Sequence, residues 1–302
     1  MKKLCLSLIC VFIFGYVAAQ SPQIYIKTEY IGTSSLLDDN GDRVESNKSA
    51  AFVYKGGINL PFSIRMSKNN HPVVWGVGIS ASYTSFDNGN ISKDLVLSEM
   101  FETQVAFYHI RSLNEKWSMM ASFGAGIYTS DTKLSGIRYR NLLGNVGTIF
   151  IRKLKPNLEI GFGIAMNNTF GYPMIFPALY FDWMYEGYFT FNLSMMDGGE
   201  MSVRYNINKK ASLSLIAEMN GQGTMLEKDE QEMMFSHQYI VTGFRPEIKI
   251  NKHFSMSLTV GASIMRSIGY NKRSLKGLFS NSSADSDFKE SFYISGGFRI
   301  GL

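Results

Sequence analysis

The sequence has little cysteine, and what it has lies near one end. Both cysteines, Cys5 and Cys10, precede Ala19, so a chain cleaved after that residue contains no thiol. This excludes disulfides and cysteine-based zinc or thiol chemistry from the mature protein. Long apolar runs are also lacking after residue 19, where no stretch approaches the roughly 18 residues of a membrane-spanning helix. Charge of one sign is not in excess either. Losing Lys2 and Lys3 lowers the formal net charge from +5 to +3, which gives no reason to expect a nucleic-acid partner.

The N-terminal residues predict a cleaved secretory signal peptide. Two lysines precede an apolar stretch at 4–17, and Val17, Ala18 and Ala19 supply the small residues of a cleavage site. A membrane-spanning helix would be longer, and a lipoprotein would need a small residue in place of Ile9 before Cys10. We therefore expect a signal peptide at 1–19 and one exported domain at 20–302.

The dominant pattern in that domain is an alternation of apolar and polar residues with a period of two. At 254–264 the even positions are apolar and the odd positions are small or polar. Successive side chains of a strand point to opposite faces, so this pattern predicts strands with one apolar face. Similar alternation covers 73–83, 117–128, 158–167, 213–220, 240–250 and 292–302.

Strand length and connection length both favour a membrane over a soluble sandwich. Most predicted strands run about 10–13 residues, where soluble strands average about 5–6 and tilted membrane strands need about 9–11. The connections alternate between tight turns and long polar loops, as in barrels with short periplasmic turns and long external loops. Tight turns are predicted near 112–115, 155–156, 208–210 and 251–253, and long loops at 35–48, 86–97, 130–141, 221–237 and 268–288.

Two further features concern the ends of strands. Trp75, Trp117 and Trp183 each lie beside a predicted tight turn, and tryptophan prefers the membrane–water interface. The chain closes on SGGFRIGL, which is similar to the C-terminal assembly signal of outer-membrane barrels. The matching positions are Ser295, Gly297, Ile300 and Leu302, although that signal usually ends in an aromatic residue.

Together these features resemble the bacterial outer-membrane β-barrels, and within them a barrel family of unknown function. The resemblance implies an all-β, closed antiparallel transmembrane barrel in the outer membrane of a Gram-negative bacterium. It also implies contact with outer-membrane lipids and lipopolysaccharide, and assembly by periplasmic chaperones and the barrel-assembly machinery. No N-terminal plug or C-terminal domain is expected.

The strand count is predicted to be about fourteen. Twelve is the alternative, because the strands within 176–207 look short and the hairpin near 196–200 need not span the bilayer. Pro246 is a difficulty for a closed sheet, since proline lacks the N–H that a ladder needs; we expect a bulge or the end of a ladder there. The fourteen predicted strands are 24–34, 50–65, 73–85, 98–111, 116–129, 142–153, 157–168, 176–184, 188–195, 199–207, 211–220, 238–250, 254–267 and 289–302.

The interior is predicted to carry charges of both signs. Two functions follow from such a lumen: a narrow passive channel or carrier for small solutes or lipids, or a structural or surface-interaction barrel whose lumen is closed. A strongly selective pore would more often carry one dominant sign. The period places inward Lys27, Glu29, Lys55, Glu102, Glu159, Arg204, Glu218, Arg245, Glu247, Lys249 and Arg299.

Catalytic and metal sites are not expected. His71, His109 and His253 fall in or near tight turns and are interpreted as solvated residues. His237 ends an acidic external loop, where an acid–histidine pair could in principle activate water. The Asp-rich run at 38–42 lacks the glycine and glutamate spacing of an EF-hand, so it is interpreted as a polar loop. We expect no enzyme activity and no cofactor.

Overall fold

The structure is a computed structural model that describes residues 22–37, 42–92, 95–195, 199–274 and 286–301. The predicted signal peptide, most of the Asp-rich run at 38–42 and Leu302 lie outside these residues. Two single-turn 3-10 helices occur, at Leu134–Gly136 and Tyr139–Asn141. Among the described residues no helix is long and apolar enough to cross a membrane.

Strands make up most of the described chain. They are β1 Gln23–Leu37, β2 Arg43–Met66, β3 Pro72–Asp87, β4 Glu99–Ser112, β5 Trp117–Thr129, β6 Leu142–Lys155, β7 Leu158–Asn167, β8 Met174–Glu186, β9 Thr190–Ser194, β10 Glu200–Asn206, β11 Ala211–Lys228, β12 Gln231–Lys249, β13 Phe254–Lys272, β14 Ser286–Phe288 and β15 Ser291–Gly301.

The strands form one antiparallel sheet that closes on itself. Each strand from β1 to β13 pairs with its sequence neighbour, and β15 pairs with both β13 and β1. The short β14 also lies between β1 and β13, so β14 and β15 together make one wall position. The result is a ring of fourteen strands, which confirms the predicted fold class and count. Closure leaves most backbone groups of the ring paired, as a sheet without edges requires.

The tight turns are built on a repeated asparagine. The side-chain oxygen of Asn114 accepts hydrogen bonds from the N–H groups of the residues two and three positions later, at 2.9 Å each. Asn208 and Asn251 do the same. An asparagine that bonds its own downstream backbone preorganises a turn. The shared Asn therefore explains the similar sequences at this end of the barrel, which we name the tight-turn end.

The outer surface of the ring is apolar. On β13 the exposed side chains are Met256, Leu258 and Val260, whereas Thr259 between them is buried inside. The same outward exposure holds for large apolar residues on nearly every other wall strand, among them Phe52, Phe107, Phe123, Phe150, Phe162, Leu179, Leu215, Phe244 and Phe298. A broad belt of exposed apolar side chains is costly in water and is stable where hydrocarbon covers it.

The predicted loop at 221–237 is wrong. Strands β11 and β12 continue through it and meet at a two-residue turn, Asp229–Glu230, where both residues have left-handed φ angles of 53° and 61°. This backbone is typical of tight hairpin turns. The segment lacks outward apolar residues because it leaves the outer wall, as described below. Predicted loops at 35–48 and 268–288 are likewise shortened by longer strands.

Pro246 lies within β12, which is not an edge strand because it pairs with both β11 and β13. The ladder between β12 and β13 is interrupted between the pairs Phe244–Val260 and Glu247–Ser257. Pro246 occupies that interruption, so its missing N–H removes no bond from a continuous ladder. A second irregularity lies in β13, where Ile264 is an extra residue between pairs and forms a bulge.

The other end of the barrel, which we name the loop end, holds a dry core. Its centre includes Ile31, Phe235 and Tyr293, each with 0% exposure. The cluster joins side chains of β3 and β4 to side chains of β11 and β12, which lie across the ring from them, so the barrel is filled at this level. Side chains alone fill the interior of barrels of about eight strands, so a filled level is unusual in a barrel of fourteen strands. The remaining members are Leu36, Ala51, Phe86, Ile91, Val96, Met100, Ile216, Tyr239, Val241, Ile268, Tyr270 and Phe288.

Candidate functional site: the inner cavity

A cavity of about 610 Å³ occupies the barrel between the tight-turn end and the core. Gln23 and Arg299 line it near the tight turns, and Gln222 lines its far end. Arg299 is exposed, so the cavity is hydrated at that end. Its lining is mostly polar on β1, β2 and β10–β12, while Ile110 and Met120 make an apolar side. Behind those two lies a second buried apolar cluster on the neighbouring strands, Ile149, Ile151, Ala165, Ala178 and Tyr180.

A network of paired charges forms one wall of this cavity. Lys27 Nζ lies 2.8 Å from Glu29 Oε1 and 2.7 Å from Glu218 Oε1, so it links β1 to β11 across the lumen. Arg245 contacts Glu218 and bonds Glu200 Oε2 at 2.9 Å. The contacts thus form a chain of alternating bases and acids on β1, β11, β12 and β10, within a partly dry space. Buried charges are stable only when they are paired and hydrogen-bonded.

Lys55 and two uncharged side chains complete the network. Lys55 Nζ lies 3.4 Å from Glu29 and donates to Asn220 Oδ1 at 2.8 Å and to the Tyr239 hydroxyl at 3.0 Å. The Tyr239 hydroxyl donates to Glu29. Thus Glu29, which is fully buried, is surrounded by Lys27 of its own strand and by Lys55 and Tyr239 of β2 and β12.

The predicted inward charges fall into distinct groups. Lys27, Glu29, Lys55, Glu218 and Arg245 share the network. Of the others, Glu102 accepts a backbone N–H and Glu159 accepts the Tyr180 hydroxyl at 3.3 Å. No ion pair within the described part of the chain involves the remaining cavity residues, Arg204, Glu247 and Arg299. Lys249 is exposed near the β12–β13 turn. Their roles in transport stay predictions.

Besides Asn220, two members of the network were not predicted. Glu200 lies on the inner face of β10 with Arg204, and Tyr239 lies on the inner face of β12 with Arg245. The same alternation could have found both. Glu200 was missed because its strand is short and its alternation is weak. Tyr239 was missed because only charged side chains were considered as members of the predicted lumen network.

The β11–β12 hairpin crosses the interior and forms the roof of the cavity. Gln222 Nε2 donates to Ser82 Oγ at 3.0 Å on β3, and the backbone N–H of Gly223 donates to Glu102 at 2.6 Å on β4. Farther along, Met225 pairs with Thr129 of β5 in a parallel bridge. The hairpin therefore spans from its own place in the ring to the opposite wall. This inward course explains its polar sequence.

A buried arginine ties the hairpin to the loop-end core. Arg266 donates to His237 Nε2 at 3.2 Å and to the backbone oxygen of Ser49 at 2.9 Å, and its guanidinium lies 4.4 Å from the centre of the Phe288 ring. His237 in turn contacts Gln222 at 3.3 Å. The prediction of His237 on an exposed acidic rim is wrong, because it is fully buried. The tip is fastened from outside by Arg140 to Glu227 and by Arg273 to Glu232.

The histidines and acids form no recognisable catalytic or metal centre within the described residues. No group of three or more His, Cys, Asp or Glu side chains is placed there to hold a metal ion. His109 stacks on Trp75 at 4.1 Å on the outer surface, and His71 and His253 lie in turns.

One protein family, described as a domain of unknown function (DUF6268), matches residues 17–301. The chain belongs to the DUF6268 family. No curated protein matches it.

Several solved outer-membrane proteins are similar to this DUF6268 chain at low identity. The COG4313 outer membrane channel from Pseudomonas putida F1 is 10% identical, with a TM-score of 0.41, over 93% of this chain and 96% of that one. The Pseudomonas putida toluene transporter TodX is 8% identical, with a TM-score of 0.37, over 97% and 95%. The transport unit of the autotransporter AIDA-I from Escherichia coli is 10% identical, with a TM-score of 0.37, over 94% and 90%. Likeness at this level says nothing of what the DUF6268 chain carries.

The remaining predicted positions of the DUF6268 barrel lie on its surface and its seam. Trp75 and Trp117 are exposed on the outer face beside tight turns, and Trp183 packs edge-on against Phe191. At the closing seam Ser295 pairs with Glu29, Gly297 with Lys27 and Ile300 with Ile24. The proposed assembly residues thus also join the last strand to the first.

Proposed function

We propose that the protein is an outer-membrane barrel of a Gram-negative bacterium that acts as a normally closed, narrow channel or carrier for small solutes or lipids. The predicted signal peptide at 1–19, the apolar belt and the similarity of the C-terminal residues to an assembly signal support this location. Outer-membrane lipids and lipopolysaccharide would surround the belt, and periplasmic chaperones and the barrel-assembly machinery would deliver it. In this orientation the tight turns face the periplasm and the loop end faces outside.

One observation carries the proposal. A hydrated, charge-lined cavity ends at a roof made from a hairpin, and polar bonds from Gln222 and Gly223 hold that roof to the far wall. Polar bonds exchange with water more readily than apolar contacts separate, because each net hydrogen bond contributes only about 0.5–1.5 kcal/mol. The hairpin also buries Met225 and Met234 against Leu143, and Phe235 in the loop-end core, so these apolar contacts favour the closed state. The hairpin would therefore swing aside only intermittently, while the ring stays closed.

An enzyme is disfavoured on the same grounds. Glu29, Glu200 and Glu218 are held by Lys27, Lys55 and Arg245, and the inner histidine is engaged by Arg266 and Gln222. A general base needs a free lone pair near a substrate. We therefore propose binding and passage, without catalysis.

A structural barrel with a permanently closed lumen is the second candidate. The observation that favours it is the loop-end core, where side chains such as Phe235 and Ile31 are as buried as in a soluble protein. A core of this kind stabilises the closed state by roughly 1.5–3 kcal/mol for each large apolar side chain.

A reversible cross-link separates the two candidates. Met225 and Thr129 are bridge partners, so cysteines there should come within the roughly 4.4–6.8 Å between Cα atoms that a disulfide spans. In planar bilayers we expect small, intermittent steps from Met225→Cys/Thr129→Cys when reduced and no steps when oxidised. A variant that replaces 224–235 by Asn-Gly should give larger and steadier steps.

The single-cysteine proteins are the controls, and oxidation should not change their currents. Large steady currents from the oxidised double variant would show that the hairpin is not the gate. Silence from every variant, including the shortened hairpin, would support the structural barrel.

A further inference from the structure

The wall of the barrel is low on one side. Strand β9 has 5 residues and β10 has 7, whereas the flanking β8 and β11 have 13 and 18. At about 3.3 Å per residue, β9 spans roughly 16 Å, less than the roughly 25 Å apolar band of a membrane barrel. All four strands reach the tight-turn end, so the deficit lies in the half nearer the loop end.

The two flanking strands separate above this low hairpin. The ladder between β8 and β9 covers only Asp182–Glu186 of β8, and the ladder between β10 and β11 ends at Glu218. Above Glu218, β11 turns inward and reaches β5 at Thr129. Residues 174–179 of β8 therefore have no ladder partner among the described residues on the side facing β9.

The sequence of β8 fits an edge at this place. Pro177 lies within the part of β8 that extends above β9. Proline is confined to edges and bulges of sheets because it cannot donate to a ladder. In hydrocarbon an unpaired backbone group costs several kcal/mol, so such an edge is stable only where polar groups or water reach it.

The cavity reaches the low hairpin beside this edge, although no residue of β8 lines it. Ser194, Gly199 and Glu200 line it at the tip, and Met219 lines it on β11. Outside the same place, Ile175, Leu179 and Met195 are exposed apolar residues. A polar interior and an apolar exterior thus meet across the ends of β9 and β10, and the described part of the chain places no taller strand between them.

We propose that this gap is a lateral window through which a single-chain amphiphile with an anionic head passes between the cavity and the membrane. The proposal rests on the carrier function above and names its ligand class and its route. The head would lie in the cavity, and the apolar chain would cross the tip of the β9–β10 hairpin into hydrocarbon.

The cavity lining selects the head group. Arg204 lines the cavity, and its Nε is buried without a hydrogen-bond partner among the described residues. It has no ion pair there, unlike Arg245, which two carboxylates hold. A carboxylate or phosphate would supply the missing acceptor in a charge-assisted bond. Arg204 lies four residues below Glu200 on β10, roughly 13 Å from the tip, within reach of a medium-length chain.

The opposite wall suits the part of the chain next to the head. Ile110 and Met120 face the cavity in front of a larger buried apolar cluster. The head of an amphiphile would therefore contact charged side chains on the β10 side, and its first methylene groups would contact apolar side chains on the β4–β5 side. A purely hydrophilic solute would gain nothing from that second wall.

Tryptophan fluorescence in nanodiscs tests the route. In a background with Trp75, Trp117 and Trp183 changed to Phe, one reporter is placed inside at the tip, Ser194→Trp. A matched reporter, Ser257→Trp, lines the same cavity on β13, away from the window. An ω-brominated medium-chain carboxylic acid, added to the nanodisc lipid, should quench the first reporter severalfold more than the second.

Four comparisons make the result decisive. Leu193→Trp, which points outward from the same strand, should be quenched by every brominated lipid and so reports insertion. The brominated alcohol of equal length should quench Ser194→Trp severalfold less than the acid, and a brominated alkyl phosphate shows whether the site prefers one anion. Adding Arg204→Gln should remove the preference for the acid. If Ser194→Trp does not fold, Asn192→Trp, also inward on β9, replaces it.

Equal quenching at 194 and 257 would overturn the lateral route, and equal quenching by acid and alcohol would overturn the anionic head. Neither result depends on conductance. A barrel whose current follows the β11–β12 cross-link but whose tip reporter is not quenched would keep the channel and lose the window.

Discussion

The two ends of the barrel solve the same problem of filling a wide ring in different ways. At the loop end, apolar side chains from many strands meet and exclude water around Phe235 and Tyr293. At the tight-turn end, charged side chains line a hydrated cavity and pair across it. Conformational change therefore costs least at the tight-turn end: moving a hydrated charge costs little, whereas opening a dry core exposes apolar area at about 25 cal/mol per Å².

A new charge should separate the two ends most strongly. Ala51 faces inward at the loop end with 0% exposure, so Ala51→Arg places a cation without a partner in a filled core. We expect this variant not to fold, because an unpaired buried charge together with overpacking exceeds the roughly 4–5 kcal/mol that is already exceptional for one substitution. Folding into lipid bilayers, followed by resistance to urea, measures the effect.

The control places the same charge at the hydrated end. Ser257 faces inward near Glu247 and lines the cavity, so Ser257→Arg should fold with nearly unchanged stability. Val260→Arg on the outer face should fall between them, at about 2–4 kcal/mol for a lipid-facing arginine near the bilayer centre. Equal costs at 51 and 257 would mean that the two ends are equally dry.

The boundary between the ends depends on one carboxylate. Glu218 accepts from Lys27 at 2.7 Å and also contacts Arg245, so Glu218→Gln leaves two partly buried cations with one carboxylate partner fewer each. Removing one member of a buried charge cluster costs about 3–5 kcal/mol. We expect Glu218→Gln to lower the free energy of unfolding by that amount in urea titrations of bilayer-inserted protein.

Glu247→Gln is the matched substitution. Glu247 lines the cavity nearer the mouth and has no ion pair within the described part of the chain. Its change should leave stability within about 0.5 kcal/mol of the wild type, as for most hydrated positions. A similar loss for both variants would place Glu247 in the network after all.

The strands of the barrel wall can be predicted from the sequence far better than the contacts between side chains inside the barrel. Each wall strand must present apolar residues to one side only, and this constraint appears locally as a period of two, as at 254–264. The partners across the lumen follow from ring closure, which has no local signature. Tyr239 bonds Glu29 although 210 positions separate them in the chain.

The inward hairpin shows the same limit in another form. A strand that leaves the lipid loses its outward apolar residues, so its sequence resembles a polar loop. Gln222 and Gly223 are strand residues whose neighbours are Ser82 and Glu102 inside the barrel. Alternation would identify such a strand only if it were known beforehand that both of its faces contact the interior of the barrel and not lipid.

The smallest expected difference concerns one arginine at each end. Arg266 is buried at the loop end, where its hydrogen bonds to His237 and to the Ser49 carbonyl satisfy acceptors that water cannot reach. Arg266→Met keeps most of the volume and removes a buried cation, which is favourable, but it leaves those acceptors unpaired at about 1–3 kcal/mol. Because the two terms oppose each other, we expect a net loss toward the lower end of that range. Arg299→Met at the exposed mouth should cost nothing measurable. Urea titrations of both variants in the same bilayer make the comparison, and a gain in stability from Arg266→Met would mean that the desolvation of this cation outweighs its hydrogen bonds.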